Sequence, residues 1–340
     1  ADGSFTYSPA EARSSKEWDN ANAQYALLAL SAIDDAGVDV PRDFWGQADR
    51  YWRSGQKKDG GWPYDDHRRP DSNPPMDAAG LASLYITLDQ ALPAGTAPLP
   101  PRRDPKLAAG LAKVAQEFDP RAHDYYYLYC AERVGRASGW KFFDQVNWYA
   151  AAAAQVAGAQ KADGSWQGQF IDAGLGGEES LICTSYALLF LARGRNPVVF
   201  NKLQYGGADA RWDARPRDDA NLTQWMSKQF GQPLNWQIVD TKVSADEWLD
   251  APILLITGSG DPQFSGEELG KLRAYVEAGG TIFSTADGGD KTFTEAIAKK
   301  YAPTVADGQY PMRELPPTDE LFDGALWTSV SNPPRLLALA

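Results

Sequence analysis

Gln56-Lys57-Lys58-Asp59-Gly60-Gly61-Trp62 and Gln160-Lys161-Ala162-Asp163-Gly164-Ser165-Trp166 are two copies of one phrase. Each closes a stretch with helical periodicity. Asp-Gly at that point is what a helix exit needs, because glycine takes the left-handed conformation that a Cβ makes costly. The tryptophan beyond the turn is then expected to plug between neighbouring helices. A headless third copy, Asp2-Gly3-Ser4-Phe5, opens the chain. Asp2 precedes Asp59 by 57 residues, and Asp163 follows Asp59 by 104, or twice 52. That spacing is a period of about 50 residues with one decayed copy, which announces a repeat architecture.

The 340 residues are enough for two domains, each with its own core. Aromatic residues are plentiful, with 12 Trp, 15 Tyr and 13 Phe. The net charge of -12 and pI of about 4.7 mark an acidic protein and argue against nucleic-acid or anionic-membrane partners, both of which need basic patches. No apolar run is long enough to span a bilayer, so no membrane insertion is expected. A charged-then-apolar signal segment is also absent, but the chain opens inside a repeat, so upstream sequence is expected to be missing. Cys130 and Cys183 each sit in an apolar helical stretch without a charged neighbour that favours thiolate. Inert buried thiols and a disulfide both remain open.

Asp19 and Asn20 stand before a first helix at 21–33, and a turn through Gly37 and Pro41 leads to a second at 43–55. A third begins at Met76, and Pro93, Pro98, Pro100, Pro101 and Pro105 then form a non-helical insertion. The helix at 107–118 ends at Asp119-Pro120 without the Gly-aromatic plug, which makes it the decayed copy. His123-Asp124-Tyr125-Tyr126-Tyr127-Leu128-Tyr129 is aromatic or apolar nearly all round, as an enclosed helix is. Asn147-Trp148-Tyr149 and five alanines at 150–154 lead into the second full motif, and a last apolar helix follows at 181–191. Seven helices are expected, too few for the twelve of a six-hairpin ring.

Around 194–197 the grammar changes. Strands are expected at 198–200, 236–239, 252–257 and 281–284. The helices between them start at Asp218-Asp219, at the capping pair Ser265 and Glu268, and at Thr292 with Glu295, with a shorter helical turn at Ser244 and Glu247. Alternating strands and helices imply a mainly parallel sheet with right-handed crossovers. Leu336-Leu337-Ala338-Leu339 reads as a strand cut short, so the chain is expected to continue beyond Ala340.

Residues 1–196 resemble the helical toroid of terpenoid cyclases and protein prenyltransferases, whose repeats end in a Gln, Gly and Trp motif like Gln56 to Trp62. More narrowly, Tyr125 to Tyr129, Asn147-Trp148-Tyr149, Gln160 to Trp166 and Tyr186 to Leu191 are similar to bacterial prenyltransferase-like or squalene-oxidase-repeat proteins. Those carry a C-terminal domain of unknown function. Here Asn201 to Gly207, Leu254 to Gly258 and Leu272 to Gly280 are similar to that domain, whose fold resembles class I glutamine amidotransferases and flavodoxin-like proteins. The resemblance implies a periplasmic or exported location. It is specific for architecture and nearly silent on chemistry.

The residues withhold the chemistry that such scaffolds elsewhere perform. A squalene-type cyclase needs an Asp-x-Asp-Asp acid, and the chain offers only Asp34-Asp35 and Asp65-Asp66. Two cysteines and two histidines, scattered singly, give no zinc spacing, and no cofactor motif is found. His67 and His123 both lie in the helical half, so Ser259 and Ser284 have no imidazole partner. The strand at 281–284 leads into Thr285-Ala286-Asp287 without a cysteine nucleophile.

Three clusters remain. Tyr64-Asp65-Asp66-His67-Arg68-Arg69 is a cation or polar-ligand site, or a solvated loop with internal ion pairs. Thr257-Gly258-Ser259-Gly260-Asp261 closes a parallel strand where open sheets bind ligands, or it is a plain tight turn, and Asp287, Asp290 and Ser259 converge at the same sheet edge as a small acidic site for a metal, or Asp287-Gly288-Gly289-Asp290 is only a turn. Tyr126, Tyr129 and Trp148, within the set Tyr125 to Tyr129, line an apolar or sugar pocket, or they are packing between repeats.

The expected architecture is therefore a partial α/α toroid of helical hairpin repeats at 1–196, followed at 197–340 by a three-layer Rossmann-like α/β domain. The expected function is a non-catalytic binding or assembly module of the bacterial cell envelope, with a protein, glycan or lipid partner. The alternative is a hydrolase or lyase acting on a glycan or isoprenoid-type lipid in the toroid cavity, with Asp65, Asp66 and His67 as its acid and base groups.

Overall fold

The computed structural model describes residues 4–5, 19–65, 70–91, 103–168, 179–207, 210–308, 312–316 and 337–339. It divides into two compact units, Ala1–Pro197 with Arg215–Ile238, and Val198–Ala214 with Val239–Ala340.

Seven α-helices occupy the described part of residues 19–194: α1 (Asn20–Asp35), α2 (Arg42–Gly55), α3 (Pro74–Ala91), α4 (Pro105–Glu117), α5 (Tyr125–Ser138), α6 (Trp148–Gly158) and α7 (Glu179–Gly194). A two-stranded ribbon, β1 (Phe142–Phe143) and β2 (Val146–Asn147), precedes α6. Short polar side chains start most of these helices. Asp19 accepts the Asn22 N–H at 2.8 Å, Asp124 that of Tyr127 at 3.0 Å and Asn147 that of Ala150 at 3.2 Å. Asp104 caps α4, with Pro105 at the first helical position.

Almost the whole of α3 is buried, and it packs against α1, α2, α4 and α5, while α5 packs against α6 and α7. Polar contacts bring α1 to the far helices as well. Gln24 Nε2 donates to the Tyr126 hydroxyl of α5 at 2.5 Å, and the Tyr25 and Tyr186 hydroxyls of α1 and α7 lie 2.6 Å apart. Cys130 and Cys183 are free and buried, and burial pushes the Cys130 thiol up to about 12, as an inert thiol requires.

The motif is built the same way twice, though not as a helix exit. α2 ends at Gly55, Gln56 is extended at φ -68° and ψ 126°, and the Asp-Gly turn lies beyond it. Lys57 N–H donates to the Gly61 carbonyl at 2.8 Å, and Lys161 N–H to that of Ser165 at 2.9 Å. Gly60 and Gly164 are left-handed, at φ 93° and 84°. The Trp62 indole N–H donates to the Trp52 carbonyl at 2.8 Å, and that of Trp166 to the Val156 carbonyl at 2.7 Å, each ten residues back. Both rings are buried. Trp62 lies flat on Gly80 of α3, where a Cβ would come within 2.3 Å of the ring.

Beyond residue 197 the chain forms β3 (Val198–Gln204), α8 (Asp218–Phe230), β4 (Asn235–Asp240), β5 (Ile253–Gly258), α9 (Gly266–Glu277) and β6 (Thr281–Ala286). The four strands form one sheet in the order β4-β3-β5-β6, with β3, β5 and β6 parallel. A 3-10 turn at Asp287–Gly289, α10 (Lys291–Glu295), a π-helical turn (Ala296–Tyr301) and α11 (Ala302–Val305) follow. β7 (Met312–Glu314) and β8 (Leu337–Leu339) then pair antiparallel.

Ser265 and Glu268 form the expected capping box of α9. The other expected caps differ. Asp290, not Thr292, caps α10, and Ser244 makes no side-chain cap to its 3-10 turn. α8 starts at Asp218 behind a left-handed Arg217 at φ 68°, with Asp218 and Asp219 in the first turn, where the helix dipole favours them.

Gln56 and Gln160 measure how far each motif is built in. Gln56 Nε2 donates to the Gly60 carbonyl at 2.8 Å and to the Lys106 carbonyl of α4 at 2.9 Å, while Gln160 Nε2 reaches only its own Gly164, at 3.0 Å and exposed. Gln56→Ala is expected to cost about 2–3 kcal/mol by stranding two carbonyls, and Gln160→Ala less than about 0.5 kcal/mol. Urea unfolding of both variants measures the difference.

Candidate functional site

At the carboxyl end of the parallel strands, the loop after β5 is held from both sides. Thr257 is buried, its Oγ1 donates to the Trp212 carbonyl at 2.7 Å, and its own carbonyl accepts the Tyr205 hydroxyl at 2.8 Å. A Cβ on Gly258 would stand 2.1 Å from that hydroxyl, so this backbone position is closed to any side chain. Asp290 reaches back across the loop and accepts the Gly260 N–H at 3.1 Å and the Phe293 N–H at 2.7 Å, bonds that hold its carboxyl below the usual range.

Asp261 accepts the Tyr301 hydroxyl, the Lys300 ammonium at 3.0 Å and the Gln263 N–H at 2.9 Å, and its pKa is lowered first by Tyr301. Asp287 opens the 3-10 turn after β6. Burial and then its charge push the Tyr205 phenol well above its usual value. Ser259 is half-buried between Gly258 and Gly260. The structure therefore brings Asp290 to the Gly258–Gly260 loop and sets Asp287 where its charge acts on Tyr205. No group of three or more His, Cys, Asp or Glu among the described residues is placed to hold a metal. A buried ion pair escaped the sequence reading: Lys202 of β3 meets Asp213 at 3.0 Å, over the Trp212 ring. A lysine inside an apolar strand pattern was its only signal.

In the helical unit Asp65 is half-buried just beyond Trp62, whereas Asp66 and His67 lie outside the described residues. Trp148 packs on Phe143, Tyr149 and Phe190, and its indole donates to the Trp140 carbonyl at 2.8 Å. Tyr126 and Tyr129 surround a polar cluster instead. Gln24 Oε1 accepts from the buried Arg133 Nη1, and the Arg133 guanidinium lies 5.8 Å from the Tyr129 ring centroid.

Among the described residues, a cleft of about 770 Å³ lies where the C-terminal turns of α1 and α3 face α8 and the segment that follows it. Asp34, Asp35, Asp89, Arg136, Gln224, Lys228 and Asn235 line it. Arg217 closes its floor: Nε and Nη2 grip the two oxygens of Asp89 at 2.9 and 2.6 Å, with the guanidinium 5.4 Å from the rings of both Tyr85 and Trp236. Asp89 and Arg217 are 128 residues apart, beyond any local pattern.

Residues 199–329 match the model of a family described as Domain of unknown function (DUF4159). The match covers β3 to β6 with the loop after β5, as the resemblance led one to expect of this half. No curated protein matches the chain.

The buried Asp77 and the half-buried Glu117 form an acid pair that bears on stability. The Trp62 backbone N–H donates to Asp77 Oδ1 at 2.6 Å, while Asp77 Oδ2 and Glu117 Oε2 are both buried without another partner. A protonated Asp77 has Glu117 within reach as an acceptor, while the other Glu117 oxygen pairs with Lys113 at 2.7 Å. Burial, and then Glu117, push the Asp77 pKa up to about 7, whereas its bond to Trp62 opposes the rise. Because the folded pKa lies above the unfolded one, the contribution is full below the unfolded value of 3.8 and is lost as pH rises through 7. Asp77→Asn keeps the acceptor for Trp62 and gives Glu117 a permanent donor. It is expected to raise Tm at pH 8 by about 2–6 °C and to flatten the pH dependence between 4 and 8, as scanning calorimetry across that range measures.

Proposed function

We propose that the chain is a non-catalytic binding or assembly module. Its helical half is read as a partial α/α toroid of the bacterial prenyltransferase and squalene-oxidase-repeat type. The half that follows is read as a three-layer, Rossmann-like and flavodoxin-like α/β domain. The observation that carries the reading is how the candidate side chains are used. Thr257, Asp261 and Asp290 are each spent on bonds that hold the β5 loop, Tyr126 is spent on a hydrogen bond from Gln24 and Trp148 on packing, while the polar cleft beside α8 stays open. Its volume lies in the range of small-molecule sites. Placement in a bacterial cell envelope, with a protein, glycan or lipid as partner, rests on the resemblance alone. The hydrolase or lyase alternative turns on Asp65, Asp66 and His67, of which the described residues include only Asp65.

The test incubates the full chain with soluble oligosaccharides and with polyprenyl-phosphate vesicles, following binding by calorimetry and products by chromatography. The expected result is saturable binding with every substrate recovered unchanged, weakened at least about fivefold by Gln224→Ala with Lys228→Ala at unaltered Tm. Turnover that disappears in Asp65→Ala would overturn the reading.

A further inference from the structure

The two motifs are alike on their inner side and differ on their outer side. At the first, α4 is seated on the turn. Its Lys106 carbonyl accepts from Gln56, and the Ala109 carbonyl lies so close to Gly60 that a Cβ there would come within 2.5 Å. The next residue of α4, Gly110, lies over three side chains at once: a Cβ on it would stand 3.0 Å from Leu81, 3.2 Å from Trp62 and 3.3 Å from the Gln56 amide. Gln56, Gly60, Trp62 and Leu81 thus form a seat for the first turns of a helix that carries two small residues in succession.

The second motif reproduces that seat. The Trp166 backbone N–H donates to Thr184 Oγ1 of α7 at 3.0 Å, as that of Trp62 does to Asp77 of α3. With Asp77 and Thr184 in register, the residue four positions on is Leu81 in one helix and Leu188 in the other. Leu81 is 0% exposed and Leu188 52%. Among the described residues, a Cβ on Gly164 would meet nothing within 4 Å but its own Gln160, and Gln160 to Gly164 are all exposed. After α7 the chain enters β3, so the element that would correspond to α4 does not follow.

We propose that the exposed Gln160, Gly164 and Leu188, set around the buried Trp166, dock an α-helix of a separate protein, one whose first turns present a small-residue pair like Ala109-Gly110. The chain itself shows what fits, because the same four-point seat is filled once within it. A second copy is disfavoured as the occupant, since the helix of this kind that it carries, α4, is already seated on its own first motif. The partner's second small residue is required by contact with the exposed Leu188, above the buried Trp166, and a free first-turn carbonyl is required by the Gln160 amide, which has one N–H left to donate. The proposal rests on the binding-module reading and names the kind of partner. It fails separately, because turnover of a substrate would sink that reading without altering what this seat binds.

The test adds a fluorescent, lactam-stapled peptide with the sequence of residues 103–118 to the full chain and follows anisotropy. Saturable binding is expected, weakened at least about tenfold by Leu188→Glu and by leucine in place of the peptide's Gly110, and about threefold by Gln160→Ala. Leu188 is exposed, so Leu188→Glu should keep the parent circular dichroism and Tm. No binding, or binding indifferent to Leu188→Glu, overturns the proposal. Concentration-dependent self-association abolished by Leu188→Glu also overturns it, because a second copy would then be the occupant.

Discussion

The indole N–H of Trp62 donates to the carbonyl of Trp52, and its backbone N–H donates to Asp77, so a single buried residue ties the end of α2 to the start of α3. Burying such a ring contributes roughly 5 kcal/mol of gross hydrophobic stabilisation, but its position decides more than its area. The ring can lie on α3 only because residue 80 is glycine, and α4 can cross the turn only because residue 60 is glycine, with Gly110 easing the fit against Leu81, Trp62 and Gln56. Helix pairs that could not bury their apolar faces alone are thereby set at a fixed spacing. Trp166 does the same work between α6 and α7, with Thr184 in place of Asp77.

Much of this was legible in the sequence, because it is local. The tryptophan plugs, the left-handed glycines, the cap at Asp19 and the capping box at Ser265 are each set by residues within a few positions of one another. The parallel strands could be read from apolar runs flanked by helical patterns. What could not be read depends on distant partners. Asp77 looks like an ordinary first-turn acid, and it is burial, with the approach of Glu117 from α4, that pushes its pKa up. Thr292 and Glu295 have the spacing of a capping box, yet Asp290 takes the role because it also holds Gly260 across the sheet edge.

The candidate sites divide on the same principle. Gly258-Ser259-Gly260 at the end of a parallel strand is a general address for ligands, and nothing local reveals that Asp290 already occupies the Gly260 amide. The aromatic run Tyr125 to Tyr129 is enclosed on opposite sides of α5. Tyr125, Tyr127 and Tyr129 are buried, and Tyr126 turns to Gln24 with Tyr186 beside it. The cleft beside α8 joins segments more than a hundred residues apart, which is why no motif announced it.

The first motif is sealed by α4 and the second has no such helix after α7. Native-state hydrogen exchange of the two tryptophan indole N–H groups, resolved by NMR, tests this most directly. Trp62 is predicted to exchange only through global unfolding of the helical unit, with the denaturant dependence of that transition, and Trp166 through a smaller opening of lower free energy. Equal protection of the two indoles, or faster exchange at Trp62, would contradict it.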